Sequence, residues 1–443
     1  MVNKLVDIEK DQIFLLEKIK KYQDNNCKSE IPFNAEYFCT YASADYIGFT
    51  LLKYWIKKIS FFRLILAFLK EFYACVSLND YILIESYNHS NSFKRIILTW
   101  GDVGNLKDQF FFDKYLNISS KDYKEILWVV LYDGDSSKIK KLDNVIYILD
   151  QKISYFQKIS NFCKWLLKSI FRKELRFKNL LYFFSWHNFH SYKILEIVKP
   201  LLCENLQELF IAYEAQPFQT RIIRHIKKNF KKTKCVGYIN TFPPFTPNLT
   251  KKIFSPDQII VNSVNQFEAL TKYLGWSKND IRLLDSVRFK IREKHNMSDK
   301  IYIPIHFSSS TKVLIHFKEI FEYFKSYDLS SFEISNHPTA KKSIKHLKLI
   351  ENIKLLLKNH NGGTEKIKNT SICVGSTSSV IEALFYEVNV FHIIEEPIFE
   401  AYNNPLWKNI NIKHENRNII EYVVNNRDFV LFSKDDSVIK KYI

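Results

Sequence analysis

The chain has 443 residues, enough for two domains of ordinary size, and its 46% apolar content with 37 Phe and 25 Tyr excludes a disordered chain. Lysine and arginine exceed aspartate and glutamate by 18, which implies attraction to nucleic acid, anionic lipid or phosphorylated substrates without choosing among them. The seven cysteines are scattered with no CxxC pair, which fits a reducing compartment and disfavours a structural zinc site.

Residues 1–20 are charged and periodic, so no signal peptide is expected there, and no run reaches the length of a spanning helix. Residues 1–22 read as an amphipathic helix with Leu5, Ile8, Ile13, Leu16 and Ile19 on its apolar side. A break over 25–34 precedes a helical pattern over 49–78, interrupted by Lys53, Lys57, Lys58, Arg63, Lys70 and Glu71. That stretch fits a packed helix, a surface helix resting on anionic lipid, or a support for a binding site.

Strands are predicted over 81–85 and 95–99, the second running into Trp100-Gly101-Asp102, where Asp102 is either a turn residue or part of a site. Residues 125–131 (EILWVVL) are the clearest buried strand of the first half and lead into Tyr132-Asp133-Gly134-Asp135. A strand over 144–149, a helix over 153–178 that turns basic, a strand over 179–184 and a helix over 191–205 follow. His187 and His190 lie between the last two, as packing groups or as polar groups of an acceptor site.

Residues 208–212 (ELFIA) read as a strand ending in Tyr213-Glu214-Ala215-Gln216-Pro217-Phe218-Gln219, with Pro217 opening a helix over 220–230. Glu214 can bind a sugar hydroxyl, act as a base, or stabilise the helix start. After a strand over 233–239, residues 240–248 carry three prolines and no regular period. A strand over 255–262, a helix over 263–273 closed by Gly275 and a strand over 281–286 complete the first half. Arg288 follows as a candidate partner for a carboxylate or phosphate, and 290–300 reads as a linker.

The strand over 301–306 runs into Phe307-Ser308-Ser309-Ser310-Thr311-Lys312, the first turn of a Rossmann-like half in which hydroxyls replace the glycines of the dinucleotide fingerprint. A helix over 313–324 and a strand over 331–334 follow, the latter ending in Asn336-His337-Pro338, where the proline holds His337 extended. Another helix is expected over 351–359. Residues 371–374, Gly375-Ser376-Thr377-Ser378-Ser379, an apolar helical pattern and 390–394 then spell strand, hydroxyl-rich turn, helix and strand. The turn suits a phosphate or carboxylate, or is a helix cap. Residues 401–416 look irregular, and helices are expected around Glu421 and Ser437, the last packing back on the first half.

His337-Pro338 followed by Ser378-Ser379 resembles the HP and Ser/Thr-rich motifs of bacterial sialyltransferases and related Kdo transferases. Asp133-Gly134 resembles the acidic-acidic-glycine motif of the sialyltransferases, with Tyr132 in place of the first acid, and 213–288 resembles a broader group of surface-carbohydrate biosynthesis proteins. The GT-B-like pattern covers about three quarters of the chain. The resemblance implies an α/β protein of two Rossmann-like domains facing an interdomain cleft, an acceptor-binding domain over 1–290 and a donor-binding domain over 291–443.

It implies transfer of a 2-keto sugar acid of Kdo, sialic, pseudaminic or legionaminic type from a CMP-sugar to a bacterial surface glycan or a lipid-linked precursor. No tightly bound cofactor and no metal are implied. Asp133 is then the expected general base, with Glu214 close behind and Asp135 as a substitute, and His337 assists the departing phosphate. Ser308, Ser309, Ser310, Lys312, His337, Pro338, Ser376, Thr377, Ser378 and Ser379 would hold the donor, with Glu365 on the ribose. Peripheral attachment to the cytoplasmic face of the inner membrane is expected, and no nucleic-acid partner. The alternatives are a UDP- or GDP-sugar transferase, a CMP-polyol-dependent polyol-phosphate transferase, and a nucleic-acid binder.

Overall fold

The computed structural model describes residues 2–27, 47–57, 59–85, 93–171, 183–286, 297–304, 307, 309–336, 343–360, 362–367, 369–403, 406–416, 418–426 and 429–431. His337, Pro338, Ser308, Arg288 and Ser437 lie outside them. The protein is mixed α/β, built on two principal sheets.

The first sheet has eight strands: β1 (Asp80–Ile84), β2 (Arg95–Gly101), β5 (Ile126–Tyr132), β6 (Val145–Gln151), β7 (Glu208–Ala212), β8 (Lys234–Tyr238), β9 (Gln258–Val261) and β10 (Ile281–Leu283). Their spatial order is β1-β6-β5-β2-β7-β8-β9-β10, parallel throughout except for the antiparallel edge strand β1. A two-stranded ribbon, β3 (Phe112–Asp113) with β4 (Ile118–Ser119), sits in the connection from β2 to β5.

Period-two alternation sorts the first sheet's side chains onto two faces. Ile97, Trp128, Val130, Tyr147, Phe210 and Val236 fill one core, while Ile96, Leu98, Leu127, Val129, Leu209 and Cys235 join the other. Burial on both sides explains why β5 reads as a continuous apolar run.

The helices of this half are α1 (Val2–Cys27), α2 (Ile47–Trp55), α3 (Phe61–Val76), α4 (Tyr155–Phe171), α5 (Trp186–Val198), α6 (Pro217–Asn229) and α7 (Val264–Lys272). The single helix expected over 49–78 is instead α2 and α3, broken where Lys57 takes a left-handed φ of 57°. The strand expected over 179–184 is not one where the structure describes it, because Phe183 is helical and Phe184 lies in a turn. Phe183 stacks on Trp165 with centroids 4.6 Å apart, so tertiary aromatic packing overrides the local β preference.

The second sheet has six strands: β11 (Lys300–Ile303), β13 (Glu333–Asn336), β15 (Thr370–Val374), β16 (Asn389–Ile393), β17 (Ile410–Asn416) and β18 (Ile419–Val424). The order is β13-β11-β15-β16-β18-β17, the first four parallel and the last two antiparallel. Its helices are α8 (Ser310–Tyr323), α9 (Ile344–Lys358), α10 (Ser379–Phe385) and α11 (Pro397–Glu400). Two expectations fail here: part of 401–416 is strand β17, and Glu421 sits in strand β18 rather than a helix. IIEYVV is rich in β-branched residues, and pairing on both sides gives them a pleated surface to fill.

The largest core cluster runs from the first sheet into the second, taking in Cys373, Val380, Val390, Ile394 and Tyr422. Gln12 of α1 donates to Ile398 O (2.8 Å), and Lys53 of α2 pairs with Glu396 (2.6 Å), so the first two helices brace the second half. Leu431 returns to the first sheet: its N–H donates to Asn262 O and its carbonyl accepts from Ser286 N.

Gly237 in β8 marks a close approach. A Cβ there would sit 2.9 Å from Cβ and Cγ of Tyr213, the residue that follows β7. Gly237→Ala is expected to cost about 1–3 kcal/mol through overpacking. Urea unfolding of the variant beside the wild type measures it, and an unchanged midpoint would refute the tight contact.

Candidate functional site

Open parallel sheets bind ligands outside the carboxyl ends of their strands, at the point where the strand order reverses. In the first sheet that point lies between β2 and β7, which lead into Asp102 and Glu214. In the second it lies between β11 and β15, which lead into residues 304–310 and Gly375–Ser378.

Residues 213–219 are organised by one buried side chain. Gln219 donates from Nε2 to Ala212 O (2.7 Å), and its Oε1 accepts from the N–H groups of Glu214 (3.0 Å) and Gln216 (3.1 Å). Pro217 occupies the first turn of α6, where a missing N–H is harmless. Much of this unusual heptapeptide therefore builds the strand-to-helix junction itself. Ala215 takes a left-handed φ of 55°, a strained conformation for a residue with a Cβ. That turn leaves Glu214 half-buried, its Oε2 accepting from Gln216 Nε2 (3.0 Å) while its carbonyl accepts from Asn248 Nδ2 (2.6 Å).

Asp133 leaves the end of β5, two strands from β7. It is exposed, its N–H donates to Gly101 O (2.9 Å), and its carboxylate has no partner among the described residues. Asp135 caps the following turn by accepting from Ser137 N (3.0 Å) and Ser137 Oγ (2.8 Å). Asp102 caps its own turn through Gly104 N (2.7 Å) and meets Lys114 (3.1 Å), so it serves as a turn residue. His190 stacks on Trp186 with centroids 4.5 Å apart, and burial holds both His187 and His190 down to about 3, neutral and packed.

The hydroxyl turn after β15 meets the loop after β8. Phe242 N donates to Ser378 Oγ (3.1 Å), and Tyr402 Oη lies 2.6 Å from Phe242 O and 2.8 Å from Thr377 O. Thr377 Oγ1 accepts from Ser379 N (3.3 Å), so Thr377 does the capping, while the Ser378 oxygen accepts across the gap between the sheets. The Ser376 and Ser379 hydroxyls have no partner among the described residues.

Behind the turn lies a chain of polar groups that the sequence reading missed. His392 Nε2 is 2.6 Å from Gly375 O, and its Nδ1 is 2.7 Å from Tyr422 Oη. A carbonyl only accepts, so Nε2 carries the proton and Nδ1 accepts from the tyrosine. Tyr422 Oη in turn accepts from Tyr402 N (3.3 Å). Burial holds His392 down to about 4, against the pull of its bond to Gly375, which keeps this pattern of donors fixed. In the sequence His392 sits in an apolar strand and Tyr402 in an aperiodic stretch, so neither carries a local signal.

At the end of β11, Ser309 caps α8 by accepting from Lys312 N (3.4 Å), Ser310 is half-buried, and Lys312 is exposed. Lys345, also missed, contacts Phe307 O and lies 4.3 Å from the centre of the Phe307 ring. His346 Nε2 is 3.0 Å from Pro304 O, and its Nδ1 is buried without a partner among the described residues, as is Asn336 Oδ1 at the end of β13. Glu365 does not join this group. It is exposed in β14 (Glu365–Lys366), paired with β12 (Tyr327–Asp328), and both precede the strands β15 and β13, at the opposite, amino-terminal edge. No group of three or more His, Cys, Asp or Glu among the described residues is arranged to hold a metal ion.

The chain matches no protein-family model and no curated protein in sequence.

Tyr402→Phe is expected to cost about 1–3 kcal/mol, since it strips a buried donor from two carbonyls; chemical unfolding measures it. The His392 pKa is lower folded than unfolded, so its contribution is complete above about 6.5 and is lost as pH falls towards 4. Going from pH 7 to pH 5 is expected to remove about 2 kcal/mol through this residue. His392→Gln should flatten that part of the slope, and a variant as acid-sensitive as the wild type would refute the assignment.

Proposed function

We propose that the chain is a GT-B-like glycosyltransferase that moves a 2-keto sugar acid from its CMP form to a hydroxyl of a surface glycan or its precursor. The meeting of two carboxyl edges, through Phe242, Ser378 and Tyr402, carries this reading. Each edge is where an open α/β sheet takes a ligand, so an acceptor on one and a nucleotide on the other would be held face to face. The motifs His337-Pro338 and Ser378-Ser379 argue for CMP as the nucleotide.

In the reaction, the acceptor oxygen bonds to the anomeric carbon of the sugar. The bond from that carbon to the phosphate oxygen breaks, and its electron pair leaves with CMP. The acceptor proton passes to a carboxylate. Glu214 is better placed for this than Asp133, because Glu214 shares the loop 239–248 with the Ser378 turn through Asn248. Asp133 stands two strands further off, ~10 Å at ordinary strand spacing, and remains the second candidate.

Ser376, Ser378 and Ser379, with His337, would donate to the departing phosphate. Lys345 joins Lys312, Ser309 and Ser310 as a cationic and hydroxyl partner for the phosphate or the sugar carboxylate. Glu365 is given no part.

Incubation with a panel of CMP-activated keto sugars and lipid-linked acceptors, following CMP release and product mass, tests the proposal. Glu214→Gln is expected to lower turnover about 10²–10⁴-fold with CMP binding intact, and turnover should survive a metal chelator. His337→Ala should weaken CMP binding by about 1–3 kcal/mol in calorimetry. If Asp133→Asn abolishes turnover while Glu214→Gln keeps it, the base is Asp133. If only a UDP- or GDP-sugar turns over, the donor assignment is wrong.

A further inference from the structure

We propose that helices α3 and α4 form a docking face for an anionic lipid bilayer. This inference is independent of the transfer reaction above.

A helix packed on a core normally turns polar side chains to water. Helix α3 does not. It buries Leu64, Glu71 and Cys75, yet the other side presents Phe62 (66% exposed), Leu66, Leu69 and Tyr73 (69%), a second apolar stripe at i, i+4, i+7 and i+11. Helix α4 repeats the pattern. It buries Phe162, Trp165 and Ser169, and exposes Phe156 (84%) and Phe171 (82%) near its two ends. The helices are neighbours, Phe72 of α3 meeting Phe162 of α4 edge-on with centroids 5.8 Å apart. More than half of the large apolar side chains exposed among the described residues belong to α2, α3 and α4. Single exposed apolar residues need no explanation, but a concentration of this size marks a contact surface.

Charge selects the occupant. Helices α2, α3 and α4 carry a single carboxylate, Glu71, and it is buried. Lys57, Arg63, Lys70 and Lys164 are exposed among the apolar side chains. Aromatic and aliphatic groups among exposed bases, with no exposed carboxylate on the three helices themselves, match the layered chemistry of an anionic membrane, with acyl chains below and phosphates above. Asp80 and Glu196 stand beside α4, held by Asn161 and Lys168. A second copy of this chain would set bases against bases around the same face, which opposes docking. No described helix is long and apolar enough to cross a membrane; a helix with an exposed apolar stripe beside bases is suited to lie on the surface.

Sedimentation of the full chain with vesicles tests this, in one arm of phosphatidylcholine alone and in another with added phosphatidylglycerol. Binding is expected to the second, to weaken as salt rises, and to be slight in the first. The combined variant Phe62→Gln, Leu66→Gln, Phe156→Gln, Phe171→Gln should lose at least about tenfold in partitioning with an unchanged circular dichroism spectrum. Arg63→Ser with Lys164→Ser should lose about fivefold per base at low salt. Ile344→Gln with Leu355→Gln, exposed on α9, should change nothing. The proposal is overturned if vesicles do not bind, if the apolar variant binds as the wild type does, or if binding ignores phosphatidylglycerol. Sedimentation equilibrium supplies one further outcome: a dimer that the apolar variant dissolves would give the face to a second copy and overturn the lipid assignment.

Discussion

The contact on which the candidate site depends is the polar chain from Gly375 through His392 and Tyr422 to Tyr402, which ends on the carbonyls of Phe242 and Thr377. Every member is buried or backed by core, so each donor must find its acceptor or forfeit its hydration without return. That demand fixes the tautomer of His392 and the position of the tyrosine hydroxyls. With them it fixes how the hydroxyl turn after β15 sits against the loop after β8. A charged imidazole would need an acceptor at Nδ1, where Tyr422 now donates, and the pattern would have to be rebuilt from that point.

This chain crosses between two sheets that also share apolar core. The cluster containing Leu209 and Ile259 of the first sheet continues to Val390 and Tyr422 of the second. Helices α1 and α2 add Gln12 and Lys53 as braces, and Leu431 ties the downstream chain back to Asn262 and Ser286. Packed cores resist continuous deformation, so the Phe242–Ser378 bond is held from several sides. Relative motion of the two edges would have to break it together with the Tyr402 bonds.

Residues 213–219 illustrate how structural and chemical demands share one short segment. Gln219 and Pro217 satisfy backbone requirements of a strand-to-helix junction, and Ala215 bears the strain of its left-handed turn. Glu214 joins that construction through its N–H and carbonyl, held by Gln219 and Asn248, while its carboxylate accepts from Gln216. Strain retained in the middle of such a segment fits a position that serves more than stability.

The strands and most helices were legible from the sequence because their signals are local. Continuous apolar runs such as 125–131 and 371–374, a proline at position 217 and a glycine at 275 state their structure within a few residues. The strand ends bearing Asp133, Glu214 and Ser378 were legible for the same reason. What failed locally was what depends on neighbours: the helical Phe183 and the strand around Glu421 are decided by packing against distant chain. The site's geometry was hidden more deeply. Glu365 stands on the wrong edge because a ribbon pairing places it there, and Tyr402 reaches Phe242 across 160 positions of sequence. The sequence by itself determined which strands end in polar groups. Only the tertiary structure decided which of those ends meet, because a buried hydroxyl or imidazole takes its role from the partner that satisfies it, and a short-range pattern carries no record of that partner.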